Sequence, residues 1–251
     1  MEKNVAYPAA MVQSVQVRLG WAQAEFLTGD GDEVTALVAG DEDSVQSLVL
    51  RHENGKLLIE QPQYGLSLNL YAGHWMQVCV RVPSAWRGDI ALFSVSGPLS
   101  IKHALGKAVT LDTVSGTVHA DGLMCASLGL HAVTGAVQAV RVTGDALRMR
   151  NVSGDISVLE ARFDNAHVTT VSGDITLHFT KPFAALEVRS ATGDAHISLP
   201  GEKLETLFRS VAGRLRTEDF ADGTDAPTLE ASTVTGNVTV RKVAEDAHAA
   251  Q

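Results

Sequence analysis

From about residue 90 to residue 240 the chain alternates apolar and polar positions in short runs. Each run breaks at a glycine and then resumes. The phrases SVSGPL, TVSGTV, AVTGAV, NVSGDI, TVSGDI, SATGDA, SVAGRL and TVTGNV are eight versions of one pattern. Their glycines are Gly97, Gly116, Gly135, Gly154, Gly173, Gly193, Gly213 and Gly236, spaced by 19, 19, 19, 19, 20, 20 and 23 residues. Two positions before the glycine stands Val in seven of eight copies, and one before it Ser or Thr in seven of eight. Alternation of period two, with Val, Ile and Thr flanking Gly, Asn and Asp, predicts strands and turns rather than helices.

A second set of turn residues falls near the half-period: Gly88, Gly106, Gly144 and the pair Asp164-Asn165. Each period is therefore expected to hold two strands and two turns. Helical repeats such as TPR or ankyrin need units of over ~30 residues, and the LxxLxL pattern of leucine-rich repeats is missing. The remaining solution is a β-solenoid, in which one coil cannot bury its own apolar side but stacked coils share a continuous core. Equivalent residues should form ladders, Val114-Val133-Val152-Val171 and Leu99-Val118-Val137-Ile156-Ile175, both expected in the core. The glycine marks a corner where φ can be positive, so Val at position 173 should cost well over ~1 kcal/mol.

Residues 12–82 read differently. VQSVQVRL, EVTALVAG, VQSLVLRH, KLLIEQP and MQVCVRVP look like short antiparallel strands joined by Gly, Asp and Asn turns. The organisation expected is an N-terminal β region over 1–87 that caps and leads into the solenoid, solenoid repeats over 88–240, and a frayed tail over 241–251. The fold class is all-β: a right-handed single-stranded β-solenoid with 19–20-residue coils, two strands per coil and an N-terminal antiparallel β cap.

These phrases, together with the lead-in NGKLLIEQP…MQVCVRVP, resemble the bacterial putative-adhesin family of β-strand-repeat domains of unknown function. The resemblance covers about residues 12–240. It implies the right-handed, two-strand coil and an association with bacterial cell envelopes.

Composition narrows the partners. The chain has 251 residues, a formal net charge of −9, 45% hydrophobic residues and only 5% aromatic ones. A nucleic-acid binder needs a basic stripe to displace counterions, and none stands out here. Cys79 and Cys125 lie in apolar surroundings and lack metal or redox spacing, so they read as inert thiols. No apolar run reaches the ~18 residues of a membrane span, and no signal-peptide pattern opens the sequence, so the chain as written is expected in the cytoplasm.

The candidate chemistry is sparse. Asp155, Asp174 and Asp194 follow the corner glycine in successive copies and form a carboxylate ladder that could attract a cation. Calcium, however, wants six to eight oxygens, and Gly-Asp is ordinary turn chemistry. Arg189 and Arg209, each four residues before its glycine, make a short basic ladder suited to uronates. Catalysis on polysaccharides needs a unique acid–base pair in a cleft, whereas these carboxylates keep the repeat register. The widest spacing holds only the acidic stretch 216–228.

All Trp and Tyr (Trp21, Trp75, Trp86, Tyr7, Tyr64, Tyr71) precede residue 87 and read as buried cap residues. His119 and His196 share a register four coils apart and cannot chelate together. The triplet Arg87-Gly88-Asp89 falls where a half-coil turn belongs.

The sequence therefore points to a non-enzymatic binding or scaffold module of a bacterial envelope-associated system, with no catalytic residue, metal or cofactor. Its partner would be a protein or cell-surface component, and homo-oligomers could form through the solenoid ends. The alternatives are a carbohydrate-active β-helix and a cytoplasmic module that assembles end to end.

Overall fold

The computed structural model describes residues 1–62, 74–218, 220–221 and 226–243. Tyr64, Tyr71, part of the acidic stretch 216–228 and the tail from 244 onward lie outside the described residues. The first part holds β1 (Glu2–Pro8), β2 (Ser14–Leu19), β3 (Gln23–Gly29), β4 (Glu33–Gly40), α1 (Glu42–Ser47), β5 (Val49–Glu53), β6 (Lys56–Glu60) and β7 (Met76–Pro83). Then follow β8 (Asp89–Ser94), β9 (Leu99–Lys102), β10 (Leu105–Ser115), β11 (Val118–Asp121), β12 (Met124–Thr134), β13 (Val137–Val140), β14 (Thr143–Ser153) and β15 (Ile156–Ser172). The last part holds β16 (Ile175–Phe179), β17 (Ala185–Thr192), β18 (Ala195–Leu199), β19 (Glu205–Ser210), β20 (Leu215–Glu218), β21 (Thr228–Thr235) and β22 (Val238–Lys242).

The fold is the expected solenoid. Each coil contributes one strand to each of two parallel ladders, and β15 runs from one ladder into the other. In the first ladder Leu99, Val118, Val137, Ile156, Ile175 and Ala195 stack in register, each at most 2% exposed. In the second, Ile90, Val109, Leu128, Leu147, Ala166 and Leu186 stack likewise, each at most 5% exposed. Burying each such Val, Leu or Ile side chain stabilises by roughly 1.5–3 kcal/mol, and these columns form one continuous core.

Spatial order departs from chain order at both ends. β2 and β3 lie between β6/β7 and β8/β9, pairing parallel with both. At the other end, β21 and β22 slot between β17/β18 and β19/β20. The final repeat is thus an inner coil, although it comes last in the chain. Burial explains the choice. Leu229, Ala231, Val238 and Val240 are at most 3% exposed when sandwiched. Residues 205–218 place Thr206, Phe208, Leu215 and Thr217 at the equivalent positions, and this half-polar set tolerates the outer place.

The antiparallel cap is smaller than the segment 1–87. Among the described residues, antiparallel pairing is confined to β1 with β4, β4 with β7, and β5 with β6. Part of the expected strand VQSLVLRH is instead the C-terminal half of α1, which Asp41 caps by accepting the Ser44 N–H at 3.1 Å.

The half-period turns also shift. Gly106, Gly144 and Asp164-Asn165 lie inside β10, β14 and β15. The second corner falls a few residues earlier, where His103, Gly122, Arg141 and Glu160 all have φ between 51° and 64° and recur every 19 residues. Here the left-handed column tolerates side chains, and Arg141 is held by two hydrogen bonds to the Asp121 carboxylate.

Candidate functional site

The corner glycines are required by contact more than by conformation. Positive φ occurs at Gly135, Gly154, Gly173, Gly193 and Gly236 but not at Gly97, Gly116 or Gly213. At every one of the eight, however, a Cβ would collide with a backbone carbonyl oxygen of the neighbouring coil. For Gly116 that oxygen belongs to Gly97, 2.6 Å from the added carbon. The column runs Ala22, Gly97, Gly116, Gly135, Gly154, Gly173, Gly193, Gly236, Gly213.

The ladder Val114-Val133-Val152-Val171 is not in the core. These residues are 42–50% exposed, and Val95, Val234 and Val211 extend the same column. The inward position is one residue earlier, and a one-residue slip in parity reverses the face. That inward column is small or polar: Ser94, Thr113, Ala132, Asn151, Thr170 and Thr233, all buried. Two of its side chains fasten the corner. Ser94 Oγ accepts the Gly97 N–H at 2.8 Å, and Asn151 Nδ2 donates to the carbonyls of both Gly135 and Gly154 at 2.8 Å. The sequence signal was a polar residue three before the glycine, which the apolar Val beside it masked.

Asp155, Asp174 and Asp194 stack one coil apart, and each carboxylate has a backbone partner. Asp155 Oδ1 accepts the Asp174 N–H at 2.9 Å, Asp174 Oδ1 that of Asp194 at 2.9 Å, and Asp194 Oδ1 that of Asn237 at 2.7 Å. Among the described residues no group of three or more His, Cys, Asp or Glu is placed to hold a metal ion. Arg189 and Arg209 are not neighbours. Ser232 of the inserted coil separates them, and Arg189 pairs with Glu187.

The outer face of the second ladder carries the most distinctive surface. Gly129 leaves a shallow groove of about 550 Å³, bordered by His131, Arg148, Asn165, His167 and Glu187. His131 Nδ1 faces Asp112 at 2.5 Å, and His167 Nδ1 faces Glu187 at 2.5 Å. These pairs were not foreseen. Their signal was a carboxylate one period, 19 or 20 residues, from a histidine. The exposed Val column runs along the edge of this face.

The remaining candidates are structural. Arg87 donates to the Ser84 and Trp86 carbonyls, and Asp89 accepts the Ala108 N–H at 3.2 Å. Trp86 is buried with its indole N–H on the Val12 carbonyl at 2.7 Å, whereas Trp75 is 57% exposed rather than a buried cap residue. Cys79 and Cys125 are free thiols. Burial pushes Cys79 upward and Cys125 up to about 12, so neither supplies a thiolate near neutral pH.

The two-strand coil and the glycine column define a repeat β-solenoid. Within that class the chain belongs to the Toastrack DUF4097 family, whose profile matches residues 12–241. A comparison with curated proteins finds no match. Among solved structures it is similar to a "putative adhesin" from Bacteroides fragilis NCTC 9343, at 15% identity and a TM-score of 0.61 over 97% of each chain. It is also similar to a "putative lipid binding protein" from Parabacteroides distasonis ATCC 8503, at 17% identity and 0.59 over 97% of each. A third, a "putative adhesin" from Parabacteroides merdae ATCC 43184, shares 13% identity at 0.57, over 97% of this chain and 96% of that one. At these identities the likeness is one of fold. No helix among the described residues is long and apolar enough to cross a membrane.

Proposed function

We propose that this protein is a non-catalytic binding module of a bacterial envelope-associated system, and that the outer face of the second ladder is its binding face. The observation that carries this reading is the column of exposed valines from Val95 to Val211, one per coil except where Ala191 interrupts it. Exposed apolar side chains in a continuous row are unusual on a monomer surface and mark contact sites. A surface that repeats once per coil suits an extended, repetitive ligand lying along the axis. The names of the structural neighbours, two of them "putative adhesins", are consistent with binding.

The carboxylates argue in the same direction. Asp155, Asp174 and Asp194 are committed to backbone N–H groups, and Asp112 and Glu187 to histidines. None faces a second carboxylate across a cleft in the manner of a glycosidase pair. The outermost coil sets exposed Thr217 beside Leu215 and ties Arg216 and Arg241 to Glu218, charged pairs at the edge that disfavour stacking of a further coil.

The test is cosedimentation with bacterial cell-envelope preparations. The parent should pellet with the envelopes, and Val133→Asp/Val152→Asp, checked for a cooperative melt, should stay in the supernatant. Equal pelleting of both would remove the valine column from the binding face. Product release from a polysaccharide panel would overturn the non-catalytic reading.

A further inference from the structure

We propose that the ligand of this face is a linear acidic polysaccharide, its carboxylate or sulfate groups held by Arg148, Arg150 and Arg209. The inference rests on the binding-face reading above and names the chemistry of the ligand.

The first observation is uncompensated charge. Arg148 and Arg150 project from the same side of β14, both exposed, and among the described residues their side chains make no ion pair or hydrogen bond. Their registered neighbours on the adjoining coils are Gly129, His131, His167 and Thr169, and the flanking outward positions on their own strand are Ala146 and Val152. None of the six is a carboxylate. Asp112 and Glu187, one coil beyond these histidines, are each engaged by one of them. In a chain of net charge −9 this is therefore a local positive site, where a guanidinium fork suits a carboxylate or sulfate. The groove beside Arg148, with the Asn165 and Ser127 side chains on its border, offers space and hydrogen-bonding groups for sugar hydroxyls.

The second observation is cadence, which the insertion of the last coil creates. Along the axis the registered residues run Arg150, Thr169, Arg189, Ser232, Arg209. Guanidinium groups thus recur on alternate coils, roughly 9–10 Å apart for strands spaced by ~4.8 Å, with hydroxyls between them. Arg189 shares its charge with Glu187, so the free cations stand toward the two ends of the row. Around Arg209 lies a second depression of about 290 Å³, lined also by Ser232, Val211 and Val234.

A polymer that presents one acidic group per two sugars to this face matches such a row, as a polyuronate in a twofold ribbon does with its alternate carboxylates. Its hydroxyls would meet Thr169 and Ser232, and the C–H faces of its rings the valines beside them. DNA carries a charge every ~1.7 Å of axis and needs a denser basic track than one cation on every second coil.

The test uses fluorescently labelled polygalacturonate, a sulfated dextran, neutral dextran, a DNA duplex and phosphatidylglycerol vesicles, titrated with the full chain. Binding is expected to polygalacturonate or sulfated dextran, weakening as salt rises, and not to neutral dextran. Arg148→Glu/Arg150→Glu should weaken it by about tenfold or more with an unchanged melt, and Arg150→Lys should weaken it far less. Stronger binding to DNA or vesicles, or an unaffected double variant, would overturn the proposal. If no polyanion binds while envelope cosedimentation still depends on Val133 and Val152, the polysaccharide falls and the binding face stands. If the valine variant also pellets normally, both fall.

Discussion

The Asp174 carboxylate accepts the backbone N–H of Asp194 at 2.9 Å across a coil boundary, and Asp155 serves Asp174 in the same way. These bonds make the aspartate ladder a row of staples between coils. Asp174→Ala should lower stability by about 1–2 kcal/mol, the worth of an exposed charge-assisted bond, and Asp174→Asn by less. Urea melts measure both. A calcium-dependent rise in melting temperature, abolished by Asp174→Ala, would restore the metal reading.

The glycine column predicts a contrast between two substitutions at positive φ. Gly154→Ala drives a methyl group into the Gly135 carbonyl, whereas a methyl group added at Gly201 meets nothing within 4 Å. The first should cost about 2–4 kcal/mol through overpacking and strain, the second about 1 kcal/mol. Equal losses in thermal melts would show that conformation alone selects these glycines.

Coil order can be read by cross-linking. Cα atoms on adjacent parallel strands stand ~4.8 Å apart, within disulfide range, while positions two strands apart do not. Oxidation should close a bridge in Arg189→Cys/Ser232→Cys and leave Arg189→Cys/Arg209→Cys reduced. The reverse pattern on non-reducing gels would restore the sequential order.

Asn151 joins two corners by donating to Gly135 and Gly154 from a buried position. Its replacement by Ala strands two half-buried carbonyls and should destabilise by about 1–2 kcal/mol. Hydrogen exchange should quicken first at the corners around 135 and 154.

Asp41 makes the α1 junction acid-sensitive. Burial alone would raise its pKa, but hydrogen bonds from the Ser44 side chain and backbone, His74 and the Trp75 N–H outweigh it and hold the carboxyl well below the usual range. A depressed folded pKa contributes stability above the unfolded value of 3.8, which is lost as pH falls below it. Asp41→Ala should therefore lower the melting temperature at pH 7, and the gap should narrow below about pH 4. A gap that stays constant down to pH 2 would place the contribution elsewhere.

Much of the architecture was readable from the chain. The 19–20-residue spacing, the period-two alternation and the buried ladder from Leu99 to Ile175 follow from stacking, because equivalent residues on parallel coils must share one environment. The candidate face was harder to read. Its histidine–carboxylate pairs are contacts between rungs, visible only once two periods are laid side by side, and the valines beside the corner looked like core because composition does not reveal parity.

What the sequence determined by itself is the coil, since a strand's alternation and a glycine that must clear the next coil's carbonyl are local requirements repeated in register. What only the tertiary structure decided is the order of the coils at both ends, because burial of a coil's two faces depends on what lies above and below it. That order placed Ser232 between Arg189 and Arg209 and turned two adjacent arginines into members of a spaced row.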